Sequence, residues 1–167
     1  MKTLVLGLGN DLYGDDGTGL HVIRRINQDS LLQRDLTPDG EELVFEECPL
    51  TGVALLDVIP GYDRLIIVDT IKKPDPETGK VQILEQKDLR HIPGPSPHYI
   101  SIPQTIELGE KIGLPMPQEI KIVAVEAKNL YQLGEGLTPK MVQAIPHIIQ
   151  TIKQLLHSKA QKGSDRI

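Results

Sequence analysis

The sequence has few of the residues that would indicate a cross-linked or aromatic core. Its 167 residues include no Trp, one Phe and one Cys, Cys48. A single cysteine cannot form an internal disulfide, and its place at the end of an apolar segment is typical of a small buried hydrophobic residue. A chain of this length can enclose an aliphatic core without cross-links. We therefore predict a single α/β domain over residues 1–160 and a frayed tail at residues 161–167.

Acidic residues outnumber basic ones, 23 to 18, and long apolar runs are scarce. The formal net charge is -5 and the isoelectric point is about 5.5, which leaves no basic face for a phosphate backbone. The apolar opening, Met1–Leu8, is too short for a signal peptide or a membrane span, and no later apolar run approaches the length of a span. We expect a cytoplasmic protein that has neither nucleic acid nor a membrane as partner.

Several common catalytic and nucleotide-binding motifs are absent. The sequence contains no GxxxxGK[ST], HExxH, GxSxG or CxxC. Gly7 and Gly9 resemble the opening of a dinucleotide fingerprint, but Leu12 stands where the third glycine belongs. Asp15 and Asp16 would also repel a pyrophosphate at the start of the following helix. A nucleotide-binding domain is thus disfavoured.

Hydrophobic patterns predict five strands and four helices. The strands are short apolar or alternating runs, at Lys2–Leu8, Leu43–Cys48, Arg64–Thr70, Lys80–Glu85 and Glu119–Glu126. The helices have apolar residues at helical spacing or a proline in the first turn, at Thr18–Gln28, Thr51–Ile59, Pro103–Ile112 and Thr138 to about Lys159. The alternation predicts an α/β fold, a mostly parallel twisted five-stranded sheet with helices on both faces and Lys80–Glu85 at an edge.

Four polar residues lie where the carboxyl ends of such strands meet. Asp15 and Asp16 follow the first strand, Asp69 closes the third, and His98 lies in a proline-rich loop. Two carboxylates and an imidazole suit a divalent ion such as nickel or zinc. Each residue also has a simpler interpretation: Asp15 and Asp16 as turn formers or helix caps, Asp69 as a structural cap, and His98 as a solvated surface residue.

Four sequence blocks resemble the hydrogenase maturation endopeptidases. They are GLGNDLYGDDGTG at residues 7–19, RLIIVDTI at 64–71, SPH at 96–98 and GLTP at 136–139. The blocks occur in the family's order and span nearly the whole chain. The resemblance implies a phosphorylase/hydrolase-like fold and an endopeptidase that removes the C-terminal extension of a nickel-loaded [NiFe]-hydrogenase large-subunit precursor.

The resemblance also implies a set of site residues. The family's ligand positions, which we take as both catalytic and metal-binding, fall on Asp16, Asp69 and His98. The nickel would be supplied by the precursor and would align the scissile peptide. Asp15 is either a helper of Asp16 or a cap of the helix that follows it.

Three other functions stay open at this point. A non-cleaving nickel-binding maturation chaperone would use the same ligands but leave the precursor mass unchanged. A nucleotide-binding domain would be stabilised by nucleotide. A metal-dependent hydrolase of a small substrate would carry a resident metal.

Overall fold

The computed structural model describes residues 1–50, 52–85, 87–88, 97–128, 130, 133–134 and 136–158, with the backbone alone at residues 97–101. The strands are β1 (Lys2–Leu8), β2 (Glu42–Cys48), β3 (Arg64–Ile71), β4 (Val81–Glu85) and β5 (Glu119–Glu126). The helices are α1 (Thr18–Asn27), α2 (Ser30–Leu36), α3 (Pro97–Lys111) and α4 (Pro139–His157). Two short 3₁₀ helices cover Gly14–Gly17 and Gly52–Asp57.

The strands form one mixed sheet. Their order is β2-β1-β3-β5-β4, and β3 lies at the centre with all its residues buried. Strands β2, β1, β3 and β5 are parallel, whereas β4 pairs antiparallel with β5. The predicted α/β fold is confirmed, and so is the place of β4 at an edge.

Helices cover both faces of the sheet, as predicted. Because successive residues of a strand point to opposite faces, β1 and β3 each supply both apolar clusters. Leu6 and Ile67 belong to the cluster that also contains Ile106 of α3. Val5 and Ile66 belong to the opposite cluster, which includes side chains of α1 and α4. By the same alternation, the side chain of Asp69 points to the same face as Ile67, and that of Thr70 points to the same face as Ile66.

Two helical predictions differ from the structure, and one helix was not predicted. The segment predicted as a helix at Thr51–Ile59 is the 3₁₀ helix Gly52–Asp57. Helix α2 was not predicted, although the carboxylate of Asp29 accepts hydrogen bonds from two of its first amides. Helix α3 begins at Pro97 rather than at Pro103, so Pro103 lies inside the helix. The prediction placed the start at the wrong proline because either proline can open a helix.

Helix α1 packs directly against the sheet because small residues meet there. A Cβ at Gly19 would overlap the carbonyl oxygens of Leu8 and Val68, and one at Gly7 would overlap the carbonyl oxygen of Gly19. This close approach places the loop between β1 and α1 over the carboxyl end of the central strand. Among the described residues, no helix has the length and apolar character needed to cross a membrane.

Candidate active site at the carboxyl edge of the sheet

Two buried carboxylates, those of Asp16 and Asp69, each contact Thr70 at the carboxyl edge of β3. Asp69 of β3 is fully buried, and Asp16, in the 3₁₀ helix Gly14–Gly17, is 8% exposed. The amide of Thr70 donates a hydrogen bond of 2.8 Å to Oδ1 of Asp69. The hydroxyl of Thr70 donates to Oδ1 of Asp16 over 3.3 Å. Thr70 thereby holds both acids at one point of the edge.

Strand alternation explains how one residue contacts both acids. The side chain of Asp69 lies on the face that α3 covers, and the side chain of Thr70 lies on the opposite face, where the 3₁₀ helix sits. Thr70 reaches Asp69 through its backbone and Asp16 through its hydroxyl. Sequence reasoning missed Thr70, although a polar residue beside Asp69 in an otherwise apolar strand was a visible signal.

Asp15 and Asp16 are neighbours in sequence but face different elements. A 3₁₀ helix has about three residues per turn, so consecutive side chains point roughly 120° apart. Both oxygens of the Asp15 carboxylate accept hydrogen bonds from Thr138, one from the amide and one from the hydroxyl, each 2.8 Å long. Thr138 is the N-cap of α4. The predicted cap of α1 by Asp15 is wrong, because Gly17 is that N-cap and Asp15 bonds to a different helix.

His98 lies on α3 rather than in a loop. The backbone places it in the first turn of the helix, directly after Pro97. Asp69 faces the same side of the sheet as this helix. The described side chains contain no group of three potential metal ligands, and that of His98 is outside them. The assignment of His98 as a ligand stays a prediction.

Backbone contacts fix the loop that carries Asp16. The amide of Gly14 donates to the carbonyl of Gly134 over 2.8 Å, and the amide of Gly134 donates to the carbonyl of Leu12 over 3.0 Å. Gly9 has a φ of 155° and leaves room for the carbonyl oxygen of Asp16, which a Cβ at that position would overlap. Gly7, Gly9 and Gly19 of the first sequence block are therefore explained by close backbone approach.

Arg24 of α1 anchors the outer side of the same loop. Its guanidinium contacts the carboxylates of Glu47, at 2.6 Å, and of Asp11, at 3.0 Å. The hydrogen bonds with Glu47 and Asp11 raise the pKa of Arg24, so the cation persists at all ordinary pH values. Sequence reasoning missed this residue, because its partners lie far apart in the sequence, Asp11 in the loop after β1 and Glu47 in strand β2.

Cys48 is not placed to act as a nucleophile. It is 3% exposed and packs in the cluster on the α3 face. Burial raises the pKa of its thiol, which disfavours the reactive thiolate. The prediction that Cys48 is a small buried hydrophobic residue is confirmed.

The fold and the paired carboxylates define a class: α/β proteins whose site lies beyond the carboxyl ends of a parallel sheet. A model of the hydrogenase maturation protease family matches residues 31–155. The chain belongs to this family. It is accordingly a peptide hydrolase of hydrogenase maturation, as the sequence blocks imply.

Individual relatives agree with this assignment. The chain is 28% identical over 169 residues to the hydrogenase 2 maturation protease of Escherichia coli K12, covering 100% of this chain and 96% of that protein. It is 31% identical over 162 residues to the coenzyme F420 hydrogenase subunit delta of Methanothermobacter thermautotrophicus, covering 90% and 92% of the two chains. The solved structure of the E. coli hydrogenase maturating endopeptidase HybD superposes with a TM-score of 0.71 at 25% identity, covering 91% and 90%.

Proposed function

We propose that this endopeptidase removes the C-terminal extension of a nickel-loaded [NiFe]-hydrogenase large-subunit precursor, and that Asp16, Asp69 and His98 bind the precursor's nickel. The observation that carries the proposal is the convergence of the two buried acids, Asp16 and Asp69, on Thr70 at the carboxyl edge of the sheet. Family membership supports the hydrolytic part of the proposal.

The chemistry of the donors supports nickel as part of the substrate. Carboxylates are oxygen donors, and a divalent cation beside them favours their ionised form. An imidazole from α3 would complete a mixed nitrogen and oxygen ligand set of the kind that nickel accepts. Helix α3, which carries His98, covers the face of the sheet to which Asp69 points. This placement allows both residues to approach one ion.

Binding the nickel of the precursor would orient the scissile peptide. Holding a reacting group in place lowers the barrier because the entropy of alignment is lost on binding rather than at the transition state. A precursor without nickel would lack this contact, so it would be cleaved poorly. Cleavage would therefore follow metal insertion.

Intact-mass analysis of a co-expressed large-subunit precursor tests the proposal. The precursor would be produced with or without this protein, and with nickel supplied or withheld. We expect a discrete loss of a C-terminal peptide only when both are present. An unchanged precursor mass together with a stable complex would indicate the non-cleaving nickel-binding chaperone instead.

Replacing His98 by Ala should raise the nickel concentration that cleavage requires, or should abolish cleavage. Even outer-shell partners of metal ligands are worth about 10- to 100-fold, so losing a ligand should cost at least about tenfold. The rate would be measured at several nickel concentrations by precursor mass. His147→Ala is the matched control, because His147 is exposed on α4. A folded H98A variant with the wild-type nickel dependence would remove His98 from the ligand set.

A further inference from the structure

We propose that Asp15 is a positioning residue that holds Asp16 in place through Thr138. The contact between Asp15 and Thr138 stands independently of function, whereas its effect on cleavage rests on the function proposed above. The inference separates the two neighbouring acids by role: one faces the reacting groups, and the other fixes the turn that carries it.

The carboxylate of Asp15 is directed at Thr138 and is held there by two hydrogen bonds. Its side chain is 2% exposed, and each carboxylate oxygen accepts a 2.8 Å hydrogen bond from Thr138. The negative charge lies at the N-terminus of α4, where the helix dipole and the first amides favour an anion. Asp15 thus makes a side-chain contact with the start of α4.

Helix α4 gives Thr138 a fixed position. Met141, Ile145 and Ile148 of the first turns are almost fully buried in the cluster that also contains Val68 of β3. The hydroxyl of Thr138 also accepts from the amide of Met141, at 3.4 Å, and this bond fixes its direction. The anchor point therefore belongs to the core and not to a loose loop.

The short 3₁₀ helix transmits this position to Asp16. Asp15 and Asp16 share one turn, so rotation of the turn moves both side chains together. The contact with Thr138 and the bond between Gly14 and Gly134 restrain the turn on one side. The hydroxyl of Thr70 lies on the other side, 3.3 Å from the carboxylate of Asp16. Removing the first restraint should let Asp16 move away from Thr70 and Asp69.

Four variants test the inference in the full-length chain. Asp15→Ala removes both hydrogen bonds, and Asp15→Asn removes the charge but can still accept from the Thr138 amide. Thr138→Val removes only the hydroxyl, and Thr138→Ser restores it. Thr37→Val is the control for stability, because it also removes a threonine hydroxyl that bonds to a helix carbonyl, at 2.7 Å, in a different part of the chain.

Two readouts are needed. The first is the separation of Asp16 Oδ1 and Thr70 Oγ1 in crystal structures of the wild type and of D15A. The second is the pair of constants kcat and KM for cleavage of the nickel-loaded precursor. We expect a longer separation in D15A and a kcat lower by about 10- to 100-fold, the range typical of residues that orient metal ligands, with a KM within about twofold of the wild type.

The remaining variants distinguish positioning from direct participation. We expect T138V to lower kcat in the same direction, T138S to recover it, and the double variant D15A/T138V to be no worse than D15A, because the two residues act as one unit. D15N should keep more activity than D15A. The inference would be overturned if D15N were as inactive as D15A while T138V kept wild-type activity. That result would make Asp15 a direct participant in cleavage.

Failure of the inference can be told apart from failure of the proposed function. If the wild type cleaves no precursor, the function fails, and the crystal structures still decide whether Asp15 positions Asp16. An unchanged separation of Asp16 and Thr70 in D15A would overturn the positioning role even if the wild type cleaves the precursor with nickel dependence.

Discussion

Replacing Asp69 by Asn is expected to lower precursor cleavage by more than about 100-fold without unfolding the protein. A misplaced reactive group can already cost about 100-fold, and this variant removes the charge of a proposed ligand altogether. Asn has the same shape as Asp, and its oxygen can still accept the 2.8 Å hydrogen bond from the Thr70 amide. The fully buried position should therefore tolerate the change. Cleavage would be followed by mass spectrometry and folding by circular dichroism.

Asp75→Asn is the matched control for this experiment. It makes the same chemical change at an exposed residue before β4 whose φ of 52° suits Asn. We expect wild-type activity from D75N. A folded D69N protein that cleaves the precursor at the wild-type rate would show that Asp69 is neither a ligand nor a catalytic group.

Replacing Gly19 by Ala should destabilise the fold by more than about 3 kcal/mol, above the usual range for overpacked sites. The added methyl group would meet the carbonyl oxygens of Leu8 and Val68, which belong to two strands of the sheet. Backbone in the interior of a sheet cannot move aside as a flexible side chain can. Such a loss is a large share of the roughly 5–15 kcal/mol that stabilises a typical domain. Urea unfolding monitored by circular dichroism measures it.

Gly134→Ala is the control for Gly19→Ala. A Cβ at Gly134 would meet no atom within 4 Å, so its effect on stability should stay within about 0.5 kcal/mol. Equal unfolding midpoints for the wild type and G19A would contradict the close packing of α1 against β1 and β3. The comparison separates a steric effect from the general cost of losing a glycine.

The central part of the fold could be predicted because its signal is local. The run at residues 64–70 has no alternation, and it forms the buried central strand β3. Asp16 and Asp69 could be selected for the same reason, since each follows or closes a predicted parallel strand. Their neighbour Thr70 was missed because the role of its hydroxyl depends on where the 3₁₀ helix packs.

The features that sequence reasoning missed have one of three causes. They depend on contacts between distant residues, on two local signals of equal strength, or on a segment too short to show a pattern. The bond between Asp15 and Thr138 joins residues 123 positions apart, and no periodic pattern encodes it. Pro97 and Pro103 are both suitable first residues of a helix, so composition alone could not set the start of α3. Helix α2 has only seven residues, too few for a clear hydrophobic period.

The contact between Asp15 and Thr138 also bears on the order in which the site forms during synthesis. Asp15 leaves the ribosome early, but its partner follows 123 residues later. A nascent chain can form β1 and the loop after it, but the restraint that Thr138 places on Asp15 is absent until the start of α4 emerges. A chain translated only as far as β5 would therefore lack the contact by which, as we propose, Asp15 positions Asp16.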